Sequence, residues 1–170
     1  MKKATMTLTR RMQITIDLPA GEQRKEVWSK MYKWQDICCR AANLIVSHLY
    51  VQLMITDFFY LSEGVKYKLT DEKKDIDGIL QRSHINCTYR MLSDRFKEEI
   101  PTNMLAYLNH ELIGKFRKNY KEYLNGTRSI DNFKTNKGFI FGKEGVRQLQ
   151  YNEDKKSFGF VLFKIPFRVY

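Results

Sequence analysis

Residues Met6 to Leu18 alternate almost without a break. Met6, Leu8, Met12, Ile14, Ile16 and Leu18 share one parity, with Arg10 the exception; Thr7, Thr9, Arg11, Gln13, Thr15 and Asp17 take the other. A period of two is a strand with one apolar face. Pro19-Ala20-Gly21 ends it. A lone strand leaves a row of N–H and C=O groups unsatisfied. The next hundred or so residues carry helical patterning, so its partner has to come from far along the chain. This requirement constrains the fold more than any other feature of the sequence.

A long helix is predicted from Glu22 to Leu61. Trp28, Met31, Tyr32, Cys38, Ala42, Ile45, Leu49 and Leu53 recur at three- and four-residue steps. A polar connection, Ser62 to Asp77, leads to a second helix over Ile79 to Glu99. Pro101 breaks that helix, and Thr102 or Asn103 is placed to cap a third, which runs to Leu124. Asn125-Gly126 stops it. Strands are expected over Gly138 to Phe141, Gly145 to Tyr151 and Phe158 to Phe167, with Asn152 to Lys156 as the hairpin turn between the last two. The order of one strand, three helices and several strands implies an α+β protein. The first strand pairs with the late ones, and the helices form an inserted lobe. The chain shows no internal repeat or low-complexity segment.

Charge follows the same division. The 170 residues carry thirty Lys+Arg against nineteen Asp+Glu, a net charge of +11. Residues 1–40 hold nine basic and four acidic side chains, 41–114 hold eight and ten, and 115–170 hold thirteen and five. If the two basic ends meet in one sheet, they make one cationic surface. Such a surplus fits a polyanionic partner.

Several chemistries lack a basis. Cys38, Cys39 and Cys87 have no ligand spacing, so neither zinc nor another metal or cofactor is expected. An odd cysteine count and no signal peptide fit a reducing, cytoplasmic setting. Ala41 to Leu61 is apolar but interrupted by His48, Gln52 and Asp57, which reads as a buried helix and not a membrane span. His48, His84 and His110 join no carboxylate or cysteine in a catalytic pattern. Gly138, Gly142 and Gly145 do not form a phosphate loop. The chain by itself is not expected to be an enzyme.

Cations and aromatics are plentiful where the third helix gives way to strands. Lys115, Arg117, Lys118 and Lys121 close the helix, with Phe116, Tyr120 and Tyr123 spaced as a packing stripe. Arg128, Lys134, Lys137, Lys143 and Arg147 follow, interleaved with Phe133, Phe139 and Phe141. Cations hold phosphates, and exposed rings stack on unpaired bases. For the phenylalanines a core role comes first and stacking second; for the cations binding comes before a solvated rim, because the local excess is large.

The stretch YKEYLNGTRSIDNFKTNKGFIF resembles the segment that joins the helical recognition (REC) lobe to the wedge (WED) barrel in compact type V CRISPR effectors and their transposon-encoded TnpB relatives. Gly126, Arg128, Ser129, Phe133 and Lys134 match its motif, while the family's Pro-Ile is Gly138-Phe139-Ile140 here. The order of elements agrees over essentially the whole chain. The family's RuvC-like nuclease half, with three metal-binding carboxylates and a four-cysteine zinc ribbon, has no counterpart in these residues. The resemblance therefore implies binding without cleavage, by a truncated reading frame, a split effector subunit or an N-terminal fragment.

It implies an OB-like WED β-barrel with an inserted three-helix REC lobe: residues 1–20 as the first WED strand, 21–125 as the REC insertion, and 126–170 as the remaining WED strands. The implied partners are a guide RNA, a target double-stranded DNA, and either a separate RuvC-containing chain or a second copy. The expected RNA contacts are Arg10, Arg11, Lys115, Lys118, Lys121, Arg128, Ser129, Phe133, Lys134, Lys137, Lys143 and Arg147. Asn86 and Arg90, one helical turn apart, are candidates for reading adenine and guanine in a DNA motif. Two other readings fit the same charge: a stand-alone RNA- or DNA-binding regulator such as a repressor, and a basic module that docks an acidic protein. A barrel lacking its last strand would leave an unpaired edge and favour self-association.

Overall fold

The structure, a computed structural model, describes residues 11–63, 84–135, 138–154 and 156–169, without the side chains of residues 56–63 and 84–86. Arg10, Lys137, the side chain of Asn86, the first residues of the expected N-terminal strand and the start of the expected second helix lie outside that description. The elements are β1 (Ile14–Ile16), α1 (Glu22–Glu63), α2 (His84–Phe96), α3 (Thr102–Leu124), a 3-10 turn at Lys143–Gly145, β2 (Val146–Asn152), β3 (Ser157–Leu162) and β4 (Ile165–Val169). The class is α+β, as the pattern requires. The chain divides into two compact units, residues 1–28 with 143–170 and residues 29–142.

The first unit is built on a four-stranded antiparallel sheet in the order β1-β4-β3-β2, open at its two edges β1 and β2. The first strand does find its partner at the far end of the chain: Ile14 lies opposite Val169 and Ile16 opposite Phe167. Residues directly opposite one another share a face. One face therefore carries Ile16, Phe167 and Phe160 in one row, and Ile165 beside Leu162 in another. Ile16, Leu162, Ile165, Phe167 and Val169 are buried, and the Phe160 and Phe167 rings stack at 5.5 Å. The opposite face is polar. There Arg168 forms an ion pair with Asp17 beside a cleft lined in part by Gln148, Gln150, Asn152 and Ser157.

Four strand and helix expectations need correction. Phe158 to Phe167 is two strands, because Phe163 and Lys164 turn the chain between the paired Leu162 and Ile165. Both residues have positive φ, 50° and 68°, the signature of a type I′ hairpin built without Asn or Gly. Gly138 to Phe141 is not a strand. Residues Arg11–Gln13 and Asp17–Leu18 lie outside β1, which is paired only over three residues. Neither Thr102 nor Asn103 caps α3: Pro101 occupies the N-cap and no side chain bonds to the helix end.

The second unit is helical. Its buried stripe on α1 begins at Trp34 and runs through Ile37, Cys38, Ala41, Ala42, Ile45 and Leu49. Trp28 and Tyr32, expected on that stripe, are exposed. Glu22–Ile55 is long and apolar enough to cross a bilayer by length and composition, yet Ile37, Ile45 and Leu49 are buried inside protein. Thr88, Leu92 and Phe96 line one side of α2 at four-residue steps, and Met104, Leu105, Leu108, Leu112 and Ile113 do the same for α3. Each fully buried Leu or Ile stabilises by about 1.5–3 kcal/mol. Thr88 Oγ1 lies 3.4 Å from His48 Nδ1, which ties α2 to α1.

Helix α3 ends as Asn125-Gly126 foretold. Gly126 adopts φ 68° and its N–H donates to the Tyr123 carbonyl, while the Thr127 N–H donates to that of Glu122. Those two bonds are a Schellman motif. They explain why glycine stands at this position whatever the loop beyond it does.

Candidate functional site

The outward face of α3 concentrates charge. Phe116 and Tyr123 are buried and stacked at 4.8 Å, which turns the intervening residues outward. Arg117, Lys118 and Lys121 are exposed and make no ion pair with a described residue. They lie within about 6 Å along the helix axis. Lys115 differs, because it is paired with Glu111 one turn earlier. Tyr120, expected in the packing stripe, is exposed.

The loop after α3 carries most of the motif residues, and their surroundings vary. Arg128 lies between Glu122, at 3.4 Å, and Asp131, at 3.3 Å, with its guanidinium 5.9 Å from the Tyr123 ring. The hydrogen bond from Arg128 to Asp131 holds the guanidinium charged above the ordinary arginine range. Its charge is thus compensated in part by two carboxylates, unlike that of Arg117, Lys118 and Lys121. Ser129 and Lys134 are exposed.

Phe133 is half-buried, and its backbone is clamped. The Phe133 N–H donates to Asn43 Oδ1 at 2.8 Å, and its carbonyl accepts from Asn43 Nδ2 at 2.9 Å. The Cys39 thiol donates to the same carbonyl at 3.3 Å. One amide thus satisfies both polar groups of a residue ninety positions away, as a neighbouring strand would. Phe139 and Phe141 are also half-buried, with Phe139 edge-on to Trp34 at 6.2 Å. Phe139 and Phe141 also lie ring against ring at 6.5 Å, so these two take part in packing, one of the two roles the sequence allowed. Gly142 lies so close to the Tyr107 ring that a Cβ there would collide with it.

The remaining candidates fall elsewhere. Arg90 is exposed on α2. Arg11, Lys143 and Arg147 are exposed in the sheet unit, Lys143 in the 3-10 turn and Arg147 on β2. The expected RNA-binding residues are therefore distributed over both units.

Sequence reasoning missed two features. Asn43 gave no signal because its partner is so distant in sequence. Tyr151 and Phe158 gave a weak one. These rings lie across from each other on β2 and β3, 5.0 Å apart and both exposed. Among the described residues no group of three or more His, Cys, Asp and Glu side chains is arranged to hold a metal. No protein-family model matches the chain, and no curated protein matches it in sequence.

Proposed function

We propose that this chain binds nucleic acid, gripping phosphates through the outward face of α3 and the loop that follows it. The observation that carries the reading is the trio Arg117, Lys118 and Lys121, exposed and without a described acidic partner in a chain of net charge +11. Uncompensated cations on a rigid helix are what a phosphate backbone needs. Each keeps most of its hydration, so it can exchange water for a phosphate oxygen without first breaking an ion pair.

The finer reading is guide-RNA scaffold binding and target-duplex recognition by the non-catalytic N-terminal half of a type V or TnpB-like effector. In that reading the open sheet is part of an OB-like WED barrel and residues 21–125 are the REC lobe. Its support is the pairing of the first strand with the last across an inserted helical segment, together with the motif at Gly126, Arg128, Ser129, Phe133 and Lys134. Gly126 has a structural reason of its own, so the weight rests on the other four residues and on the element order.

The test is a salt titration of RNA binding. The full chain should lose affinity linearly in log–log form as salt rises. Lys118→Ala with Lys121→Ala should flatten the slope by about 0.7–0.9 for each phosphate that is no longer neutralised. Arg128→Ala with Lys134→Ala tests the loop in the same way. A slope near zero would sink the nucleic-acid reading and favour an acidic protein partner. Sequencing the RNA retained at moderate salt separates the finer reading from a general regulator. One structured RNA encoded beside the gene supports a guide, and bulk cellular RNA removes it.

A further inference from the structure

The apolar face of the sheet, buried at Ile16, Leu162, Phe167 and Val169, ends in a pair of aromatic rings that stay exposed. Tyr151 is 54% and Phe158 49% exposed, and their rings meet at 5.0 Å with a tilt of 56°. Leu149, two residues before Tyr151 on β2, is 66% exposed. Ile14 completes the same row at the far edge, through Val169.

The pair exists because β2 contains a bulge. Val146 lies opposite Leu162, but Tyr151 lies opposite Phe158, so β2 gains one residue between Arg147 and Gln150. Without that residue strict alternation would put Val146 and Tyr151 on opposite faces. With it, Tyr151 turns to the face that carries Phe158. Gln148 absorbs the extra residue at φ 53°, a left-handed conformation that costs a non-glycine residue about 1–2 kcal/mol. Bulges re-aim side chains, and stored backbone strain collects at functional sites.

The area and charge of the patch select its occupant. Half of an aromatic side chain is about 100 Å2, so the exposed apolar surface of Tyr151, Phe158, Leu149 and Ile14 comes to about 400 Å2. A stable protein interface buries about 800 Å2 on each partner. Just over half of such an interface is apolar, so area alone admits a protein as well as one or two flat bases, and the charge of the unit favours the bases. The unit that carries it, residues 1–28 with 143–170, holds twelve Lys+Arg against six Asp+Glu. Lys143, Arg147, Lys156 and Lys164 are exposed on it.

We propose that Tyr151 and Phe158 are a stacking platform for the unpaired bases of a single-stranded nucleic acid. This deepens the nucleic-acid reading and rests on it. The rings give sequence-tolerant stacking, and the bulge at Gln148 holds Tyr151 on the stacking side. Each residue is about half exposed, so each ring offers surface to a base. A duplex, whose bases are already stacked and paired, gains nothing from the platform.

The test uses the full chain with two fluorescent probes, a 12-nucleotide oligo(U) and a blunt RNA duplex of the same length. Stacking is worth about 1–3 kcal/mol per base, or roughly tenfold in affinity at each ring. Tyr151→Leu and Phe158→Leu keep an apolar side chain and remove the π-face. Each should weaken oligo(U) binding about tenfold and leave both duplex binding and the salt slope unchanged. Tyr151→Phe should retain wild-type affinity, which separates stacking from a hydroxyl contact and from loss of fold. Wild-type oligo(U) binding retained by both leucine variants would overturn the platform while the α3 reading stood. Absence of salt-dependent binding to either probe in the wild type would remove the underlying reading as well. Leucine variants that turn a dimer into a monomer, with oligo(U) affinity intact, would make the patch a contact between copies and overturn the proposal.

Discussion

Replacing Asn43 with alanine removes its two hydrogen bonds to the Phe133 backbone and a longer one to Cys39 Sγ, while the Phe133 carbonyl keeps the Cys39 thiol. A typical net contribution is about 0.5–1.5 kcal/mol per bond, and an unsatisfied buried group costs more. Phe133 and Asn43 are half-buried, so water reaches part of the site. The expected loss for Asn43→Ala is therefore about 1–3 kcal/mol. For a chain of this length that is roughly 3–10 °C in Tm. Urea unfolding should show a lower midpoint at unchanged m, since no large surface is exposed. Asn43→Asp sharpens the test. It keeps an acceptor for the Phe133 N–H but sets a carboxylate oxygen against the Phe133 carbonyl, so it should be at least as unstable as the alanine variant near neutral pH. An alanine variant within about 0.5 kcal/mol of wild type, or an aspartate variant as stable as wild type, would refute the clamp.

Other perturbations follow from the same geometry. Burial, and then the charge of Arg95, lower the pKa of His48 below 6.5. The unfolded chain thus takes up the proton first as pH falls through about 6.5, and stability drops with it. His48→Gln should flatten the pH dependence of Tm between about pH 7 and 5; an unchanged curve would assign the dependence to other groups. Gly126→Ala forces an alanine into φ 68° with open space around its Cβ, so strain alone should cost about 1 kcal/mol. Differential scanning calorimetry would show it, and Gly126→Asn should recover part of the loss. Lys164→Gly relieves an exposed left-handed residue in the β3–β4 turn and should raise stability by about 0.5–1 kcal/mol. A destabilised Lys164→Gly would mean that the lysine side chain contributes more than its backbone strain costs.

Local signals were legible where the residue chemistry matches the conformation. Asn125-Gly126 marks the end of α3 because glycine suits the left-handed position there. The distant partner of β1 followed from the lack of any nearer one. Elsewhere the chain departs from local preference. Phe163-Lys164 turns a hairpin with two residues that have no turn propensity, so the segment around them looks like one long strand. The bulge at Gln148 inverts the alternation of β2, which conceals the side that Tyr151 occupies. Phe139 and Phe141 lie in a loop that packs its rings, and a run of aromatics and β-branched residues looks the same in either state. Asn43 is one polar residue among several on α1, and only the fold brings Phe133 to it.

The pairing of Ile16 with Phe167 has a consequence for synthesis. About 150 residues separate the two, and a ribosome adds about 5–20 residues per second. β1 must therefore wait about 8–30 s for its neighbour, far longer than a helix needs to form. The helical unit ends at Gly142, about 1–5 s of synthesis before β4. For most of the interval β1 is unpaired while the helices are still being made. Slowing translation would lengthen that exposure, and a chaperone that covers β1 would be needed until β4 is made.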